Sequence, residues 1–339
     1  MRDMRTTSMA QVAKVAGVSH QTVSRVINNF PGVREETRKR VKKAIRDTGY
    51  VPNTAARTLV TNRSSMVGVI SVGSFLFGPT HTLAALEKEA REARYTTLLT
   101  TVSENSREEF FAAVNNFLQR SVDVIIVIAA RHSTTEFVAE LELDIPLITV
   151  GIEADVAEHI PGLCVDQDAG ARMAIRHLHQ LGHEHVGLIN GPENWNDAQL
   201  RHDAALDEAQ KLGMRIVNYS GDWSARSGFD TGMYIASLPV VERPTGLFSA
   251  NDHMALGLFA AFAKCGISVP RDMSVIGFDN VPESGYYSPA LSTISQDFDV
   301  LGFRVLKATL ALVAGEEPDL TPVPPRLVIR ESTARLRVE

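Results

Sequence analysis

The stretch GVSHQTVSRVINN, residues 17–29, gathers hydrogen-bonding side chains at a spacing that suits recognition rather than bond making. Val23, Val26 and Ile27 fall on one face of a helical register, which turns His20, Gln21, Ser24, Arg25 and Asn28 to the other. Gln can pair with both hydrogen-bonding positions on an adenine edge and Arg with the two acceptors of guanine, the geometry that direct readout of a DNA major groove requires.

Such side chains must be held on a short, rigid helix, and the flanking residues provide for one. Ser8, with Gln11 three residues on, forms a capping box ahead of the apolar stripe Val12, Ala13 and Ala16. Gly17 breaks that helix and Ser19 caps the next. A third helix is expected from about Glu35 to Thr48, with Val41, Ala44 and Ile45 inward, Arg38, Lys39, Arg40, Lys42 and Lys43 around it, and Gly49 at its end. A plain three-helix bundle with a solvated basic face would share this pattern, but a small turn residue followed by a polar helix start is what a helix-turn-helix needs. Charge agrees. Residues 1–63 hold 13 Lys and Arg against 4 Asp and Glu, while the remainder holds 21 against 36, so the formal charge of −6 hides a basic head on an acidic body.

The chain of 339 residues, 44 % apolar, is long enough for two or three well-buried domains. From Ser64 onward apolar runs alternate with amphipathic stretches: MVGVISV, TTLLTTV, DVIIVIA, PLITVG, LCVD, HVGLIN, RIVNYSG, GLFSA, SVIGFD and STISQ read as buried strands of parallel sheets, too many for one lobe. The most apolar stretch, 124–130, falls far short of the roughly 20 residues a membrane span needs, and the N-terminus lacks a secretory apolar region, so a cytoplasmic protein without a membrane role is expected. Cys164 and Cys265 read as free buried thiols. His177, His179, His183 and His185 in RHLHQLGHEH are spaced two apart, which sends neighbours to different helix faces, so no metal site is expected there. No nucleophile elbow, P-loop or dinucleotide fingerprint is present, so neither an enzyme nor a cofactor is expected.

MAQVAKVAGVSHQTVSRVINN followed by VREETRKRVKKAIRDTGYVPNTAARTL resembles the head and hinge of the LacI/GalR family of bacterial transcription regulators, and GDWSARSGF, ANDHMALG and TISQDFDVLG extend the resemblance over nearly the whole chain. The resemblance implies an α/β fold: a two-lobed, periplasmic-binding-protein-like core of doubly wound parallel sheets behind an all-α helix-turn-helix head. The head would cover 1–52 and a hinge 53–63. The core, 64–339, would divide into an N-lobe of about 64–163 with 296–325 and a C-lobe of about 164–295 with 326–339, the chain crossing near Leu163, Ser295 and Pro325. The partner implied is pseudo-palindromic operator DNA, touched by Ser19, His20, Gln21, Thr22, Arg25 and Asn28 in the major groove and by Asn53, Ala56 and Leu59 at the hinge, with Leu59 as a minor-groove wedge. Arg34 stands where the family often has a Ser cap, a loss of about 1 kcal/mol.

In the core the resemblance implies a small saccharide effector, a β-galactoside among the candidates, bound by Arg201, Asn251, Asp279, Trp223 and Phe298 with Asp197 and Gln296 in support. On the N-lobe side Val72, Val127 and Gly151 stand where the family has polar pocket residues, with Glu153 or Asp155 as nearby substitutes. The expected function is repression of transcription by a homodimer controlled by that sugar. The alternatives are a regulator whose core senses no ligand and one that uses its sugar as co-repressor. The chain shows no apolar heptad helix after RLVIRESTARLRVE, from which a dimer rather than a tetramer is expected.

Overall fold

The computed structural model describes residues 7–27, 30–50, 63–73, 76–103, 106–128, 131–151 and 160–337. They fall into two units, Met1–Ser64 and Ser65–Glu339.

In the first unit Ser8 Oγ accepts the amide of Gln11 at 3.3 Å and opens α1 (Met9–Ala16). Gly17 closes it at φ 63°, a left-handed conformation that costs glycine nothing. Ser19 Oγ then accepts the amide of Thr22 at 3.2 Å and starts α2 (His20–Ile27). α3 (Glu35–Thr48) begins at Arg34 without a side-chain cap, as its residue type foretold, and ends at Gly49. Val12, Val23 and Val41 are fully buried where the three helices meet, with Val26, Ala44 and Tyr50 beside them. Each such valine contributes about 1.5–3 kcal/mol by leaving water.

The second unit contains two sheets. The first has strand order β2-β1-β3-β4-β5, from β1 (Met66–Val72), β2 (Thr96–Val102), β3 (Val124–Ile128), β4 (Leu147–Val150) and β5 (Gly162–Leu163), all parallel. Helices cover both faces, which is why β3 is apolar at every position. Ile70, Val72, Ile125 and Val127 pack on Phe110 and Phe117 of α5 (Arg107–Gln119). Val67, Val69, Ile126 and Ile128 face Leu86 of α4 (Phe77–Glu92) and Leu301, Val305 and Leu306 of α11 (Phe298–Ala314), a helix that follows both sheets' parallel strands in sequence. α6 (His132–Ala139) flanks the same sheet through Val138.

The second sheet runs β11-β10-β9-β8-β6-β7, from β6 (His185–Ile189), β7 (Arg215–Tyr219), β8 (Gly246–Ser249), β9 (Ser274–Asp279), β10 (Ser292–Ser295) and β11 (Arg326–Val328). Only the β10–β11 pair is antiparallel. One face packs on α10 (Asp252–Cys265) through Met254, Leu258 and Phe262, alongside α9 (Ala225–Ser237). The other packs on α7 (Gln167–Gln180) and α8 (Asn196–Lys211). The chain passes between the sheets after β5, between β10 and α11, and before β11, where Val323 exchanges backbone hydrogen bonds with Cys164 and Asp166 at 2.9 Å.

Several expectations need correction. Val72 and Val127 do not line the cavity between the two sheets; each points into the α5 side of its sheet, because side chains alternate along a strand and the cavity face at that end of β3 belongs to Ile128. RLV after the proline-rich segment, to which the sequence pattern assigns no element, is a strand paired with the edge of β10. Cys265, the last residue of α10, is exposed beside Met233 rather than buried. His177 and His183 do structural work: His177 meets Thr333 at 2.9 Å, and His183 bridges Thr245, Ser274 and the carbonyl of Ala334, pinning the C-terminal segment to the lobe. Among the described residues no helix is long and apolar enough to cross a membrane.

Candidate binding cavity and nucleic-acid interface

A cavity, open to solvent at its mouth, lies between the two sheets. It sits at the carboxyl ends of parallel strands, where open α/β sheets bind ligands. The second sheet's side supplies most of its polar wall. Arg201, on α8, is 4 % exposed; its Nε donates to Gln167 Oε1 at 2.9 Å and its Nη1 to the carbonyl of Ala250 at 2.5 Å, while the guanidinium lies 3.8 Å over the Phe278 ring. Gln167 Nε2 donates to Gln296 Oε1 at 3.0 Å, and Gln296 Nε2 to Asp279 Oδ1 at 2.7 Å. The arc closes on Arg201, which stands 3.7 Å from both Asp279 and Asp197. At that separation the guanidinium makes no tight pairing with either carboxylate, so the fork is oriented yet retains N–H groups for a guest.

Burial pushes the Asp279 carboxyl up to about 6, against the pull of Arg201 and Gln296. Burial likewise raises Asp197, opposed by Arg201. Behind them Asp252 is held well above the carboxylate range by burial and by Asp279; it accepts from Thr293 Oγ1 at 2.6 Å and from the Val281 amide at 2.9 Å, tying β10 and the end of β9 to the start of α10.

Backbone strain concentrates here. Trp223, Asp279 and Asn280 have φ of 72°, 109° and 56°, in the left-handed region that L-residues avoid. Trp223 can lie where it does only because residue 191 is glycine: a Cβ there would come within 2.3 Å of its ring. Asn251 caps α10, its Oδ1 accepting from the Met254 amide at 2.9 Å and its Nδ2 donating to the Trp223 carbonyl at 3.0 Å, which leaves one amide hydrogen for a ligand. The first sheet's side is apolar apart from Thr82: Leu76, Ile128, Val150 and Leu301 line it, with Phe77 set edge-on to Phe298 at 5.8 Å.

All seven cavity residues expected from the sequence therefore share one wall system: Asp197, Arg201, Trp223, Asn251, Asp279, Gln296 and Phe298. Gly151 joins them, whereas residues 153 and 155 lie outside the described residues. Gln167, Trp195, Phe77, His253 and Cys164 also line the cavity and were not foreseen. For Gln167 a signal existed, a polar residue opening a helix directly after an apolar strand and an Asp cap.

In the head, Ser19, His20, Gln21 and Arg25 are exposed and Thr22 half-buried, its hydroxyl 2.9 Å from that of Ser19. The α2 face opposite Val23 and Val26 thus presents exposed His20, Gln21 and Arg25. Asn28, Asn53, Ala56 and Leu59 lie outside the described residues.

Comparison with known proteins matches residues 8–53 to bacterial regulatory proteins of the lacI family and residues 175–333 to the periplasmic binding protein-like domain. The lactose operon repressor of Escherichia coli K12 is 32 % identical over 317 residues, covering 92 % of this chain and 86 % of that protein. The chain belongs to the LacI family. The HTH-type transcriptional repressor PurR of Shigella dysenteriae, a second LacI-family protein, is 33 % identical over 334 residues, covering 96 % of this chain and 97 % of its own. A lac repressor dimer crystallised with operator and the anti-inducer ONPF superposes with a TM-score of 0.84 at 30 % identity, covering 97 % of this chain and all of that one, 100 %. As a LacI-family protein the chain is a DNA-binding transcriptional repressor with a ligand-controlled, sugar-binding type of core.

Proposed function

We propose that this repressor is a cytoplasmic, non-enzymatic homodimer that grips pseudo-palindromic operator DNA through His20, Gln21 and Arg25, and that a saccharide bound at Arg201, Asp279 and Trp223 loosens that grip. The observation that carries this reading is the arc Arg201–Gln167–Gln296–Asp279. It presents a guanidinium and a carboxylate, both buried and both already oriented, beside the indole of Trp223. Sugar hydroxyls both donate and accept, so they suit that pair, and a sugar ring's C–H face suits an indole. Asn251, Gln296, Asp197 and Phe298 complete the enclosure. The effector is drawn to both lobes, changes the angle between them, and so acts on the head through residues 53–63; by linkage the operator weakens the sugar as much as the sugar weakens the operator. Ser19, Thr22 and Asn28 are assigned to phosphates, and Asn53, Ala56 and Leu59 to the operator centre.

A thermal-shift screen of the full-length protein against mono- and disaccharides tests this, because a ligand bound to the folded state raises Tm by mass action. Arg201→Ala is expected to weaken the responsive sugar about tenfold to a hundredfold while leaving sugar-free binding to operator DNA, selected from a random library, near the parent value. Undiminished sugar binding in calorimetry would sink the assignment of Arg201. If no sugar moved either Tm or operator affinity, a regulator without a ligand would be the better description.

A further inference from the structure

Asp279 offers its carboxyl to the cavity from a strained turn. It and Asn280 stand in succession in the left-handed region, at φ 109° and 56°, and neither is glycine. Two such residues side by side persist only where their surroundings over-determine them. The Val281 amide, donating to Asp252 Oδ2 at 2.9 Å, anchors the turn on one side. The other side is held from far along the chain. Asn280 is gripped at both ends of its side chain: Nδ2 donates to Ser295 Oγ at 3.2 Å, and Oδ1 accepts from Arg330 Nη2 at 2.7 Å.

Arg330 comes after β11, is half-buried and does not line the cavity. Its Nη1 donates to the carbonyl of Leu291 at 2.7 Å and to Ser284 Oγ at 3.2 Å, and its own amide donates to Ser292 Oγ at 2.9 Å. One planar guanidinium thus locks together the exit of β9, the 3-10 turn Pro282–Tyr286 and the approach to β10. A strand exit alone would not call for this. Glycine at position 280 would adopt φ 56° without strain and would need no clamp. Asn in its place gives Arg330 and Ser295 a side chain to hold, and so fixes the peptide plane between 279 and 280. Relaxation of either residue would reorient that plane and with it the Asp279 carboxyl, away from Gln296 and the cavity.

We infer that Arg330 is a positioning residue for the ligand cavity: by clamping Asn280 it keeps the strained turn in the conformation that aims Asp279 at the guest. This rests on the reading of Asp279 as a sugar contact and adds to it a residue that touches no ligand.

Calorimetry on the full-length protein would use whichever of lactose, cellobiose, maltose, melibiose, galactose and glucose raises the parent's Tm most. Arg330→Gln is expected to weaken that sugar about five- to tenfold. Asn280→Gly, which removes the clamp's acceptor without adding strain, is expected to do the same and keeps the test open if Arg330→Gln folds poorly. In an Asp279→Gly background no carboxyl is left to aim, so Arg330→Gln is expected to add less than about twofold, whereas a merely structural loss would add in full. Full additivity, or parent affinity in either well-folded variant, would overturn the positioning role. Hydrogen exchange without sugar gives an independent reading. The amides of Val281 and Ser284 are expected to exchange about tenfold faster in both variants, with β6 and β8 unchanged. Unaltered protection there would overturn the clamp itself. If no sugar moved the parent's Tm, the saccharide reading would fall, and exchange would still decide whether Arg330 holds the turn.

Discussion

Asp279 carries a prediction in its own ionisation. Its carboxyl titrates near 6 because burial outweighs the pull of Arg201 and Gln296. A sugar hydroxyl that donates to it favours the charged form, so binding must expel a proton near pH 6. Affinity is therefore expected to rise as pH goes from about 5 to 7 and to level off above, with Asp279→Asn flattening the slope; Kd measured across pH would check it. Stability without sugar moves the other way. The folded value lies above the unfolded one of about 3.9, so this group's contribution is fully present below that pH and fades as pH rises through about 6. Gly191 makes a second case. The Cβ of Gly191→Ala would strike the Trp223 ring, a side chain fixed by a left-handed backbone and unable to yield cheaply. Loss of sugar response with little change in operator binding is expected, read by calorimetry and gel shift.

Among the elements, α3 starts without a cap, and Arg34→Ser is expected to stabilise its first turn by about 1 kcal/mol, seen as roughly fivefold slower amide exchange there in the full-length protein. That gap was visible in the sequence, as were α1, α2 and the end of α3 at Gly49, because caps and turn glycines act over three or four residues. The apolar strands were legible for a similar reason: helices on both faces leave them no polar positions. What local pattern does not encode is which of two adjacent residues faces a cavity at a strand end. Val127 and Ile128 are both apolar, and only the pairing of β3 with β1 and β4 decides that Ile128 takes the cavity side. Trp195 escaped notice because a tryptophan before a helix is as consistent with core as with site, and its place depends on α8 lying opposite Arg131 across the lobes. β11 escaped because its partner strand is more than thirty residues away in sequence.

For the molecule as a whole, the charge split sets how DNA is held. With 13 basic residues confined to residues 1–63 of a chain whose formal charge is −6, operator affinity is expected to fall about a thousandfold or more between 50 and 200 mM salt, and removal of residues 1–62 to abolish it while sugar binding survives. The two lobes, by contrast, cannot be parted. α11 belongs to the core of the first sheet, packed on Leu86 and Val69, yet it is encoded after the whole of the second sheet's parallel strands. On the ribosome, then, the lobe begun first is closed only after most of the second has been made. β1 to β5 emerge with one face covered only by α4 and must wait for more than a hundred residues before Leu301, Val305 and Leu306 arrive to complete the cover. A gene interrupted just after β10 would leave a second lobe lacking only its edge strand and its C-terminal segment, and a first lobe exposing that face to whatever chaperone or protease is at hand.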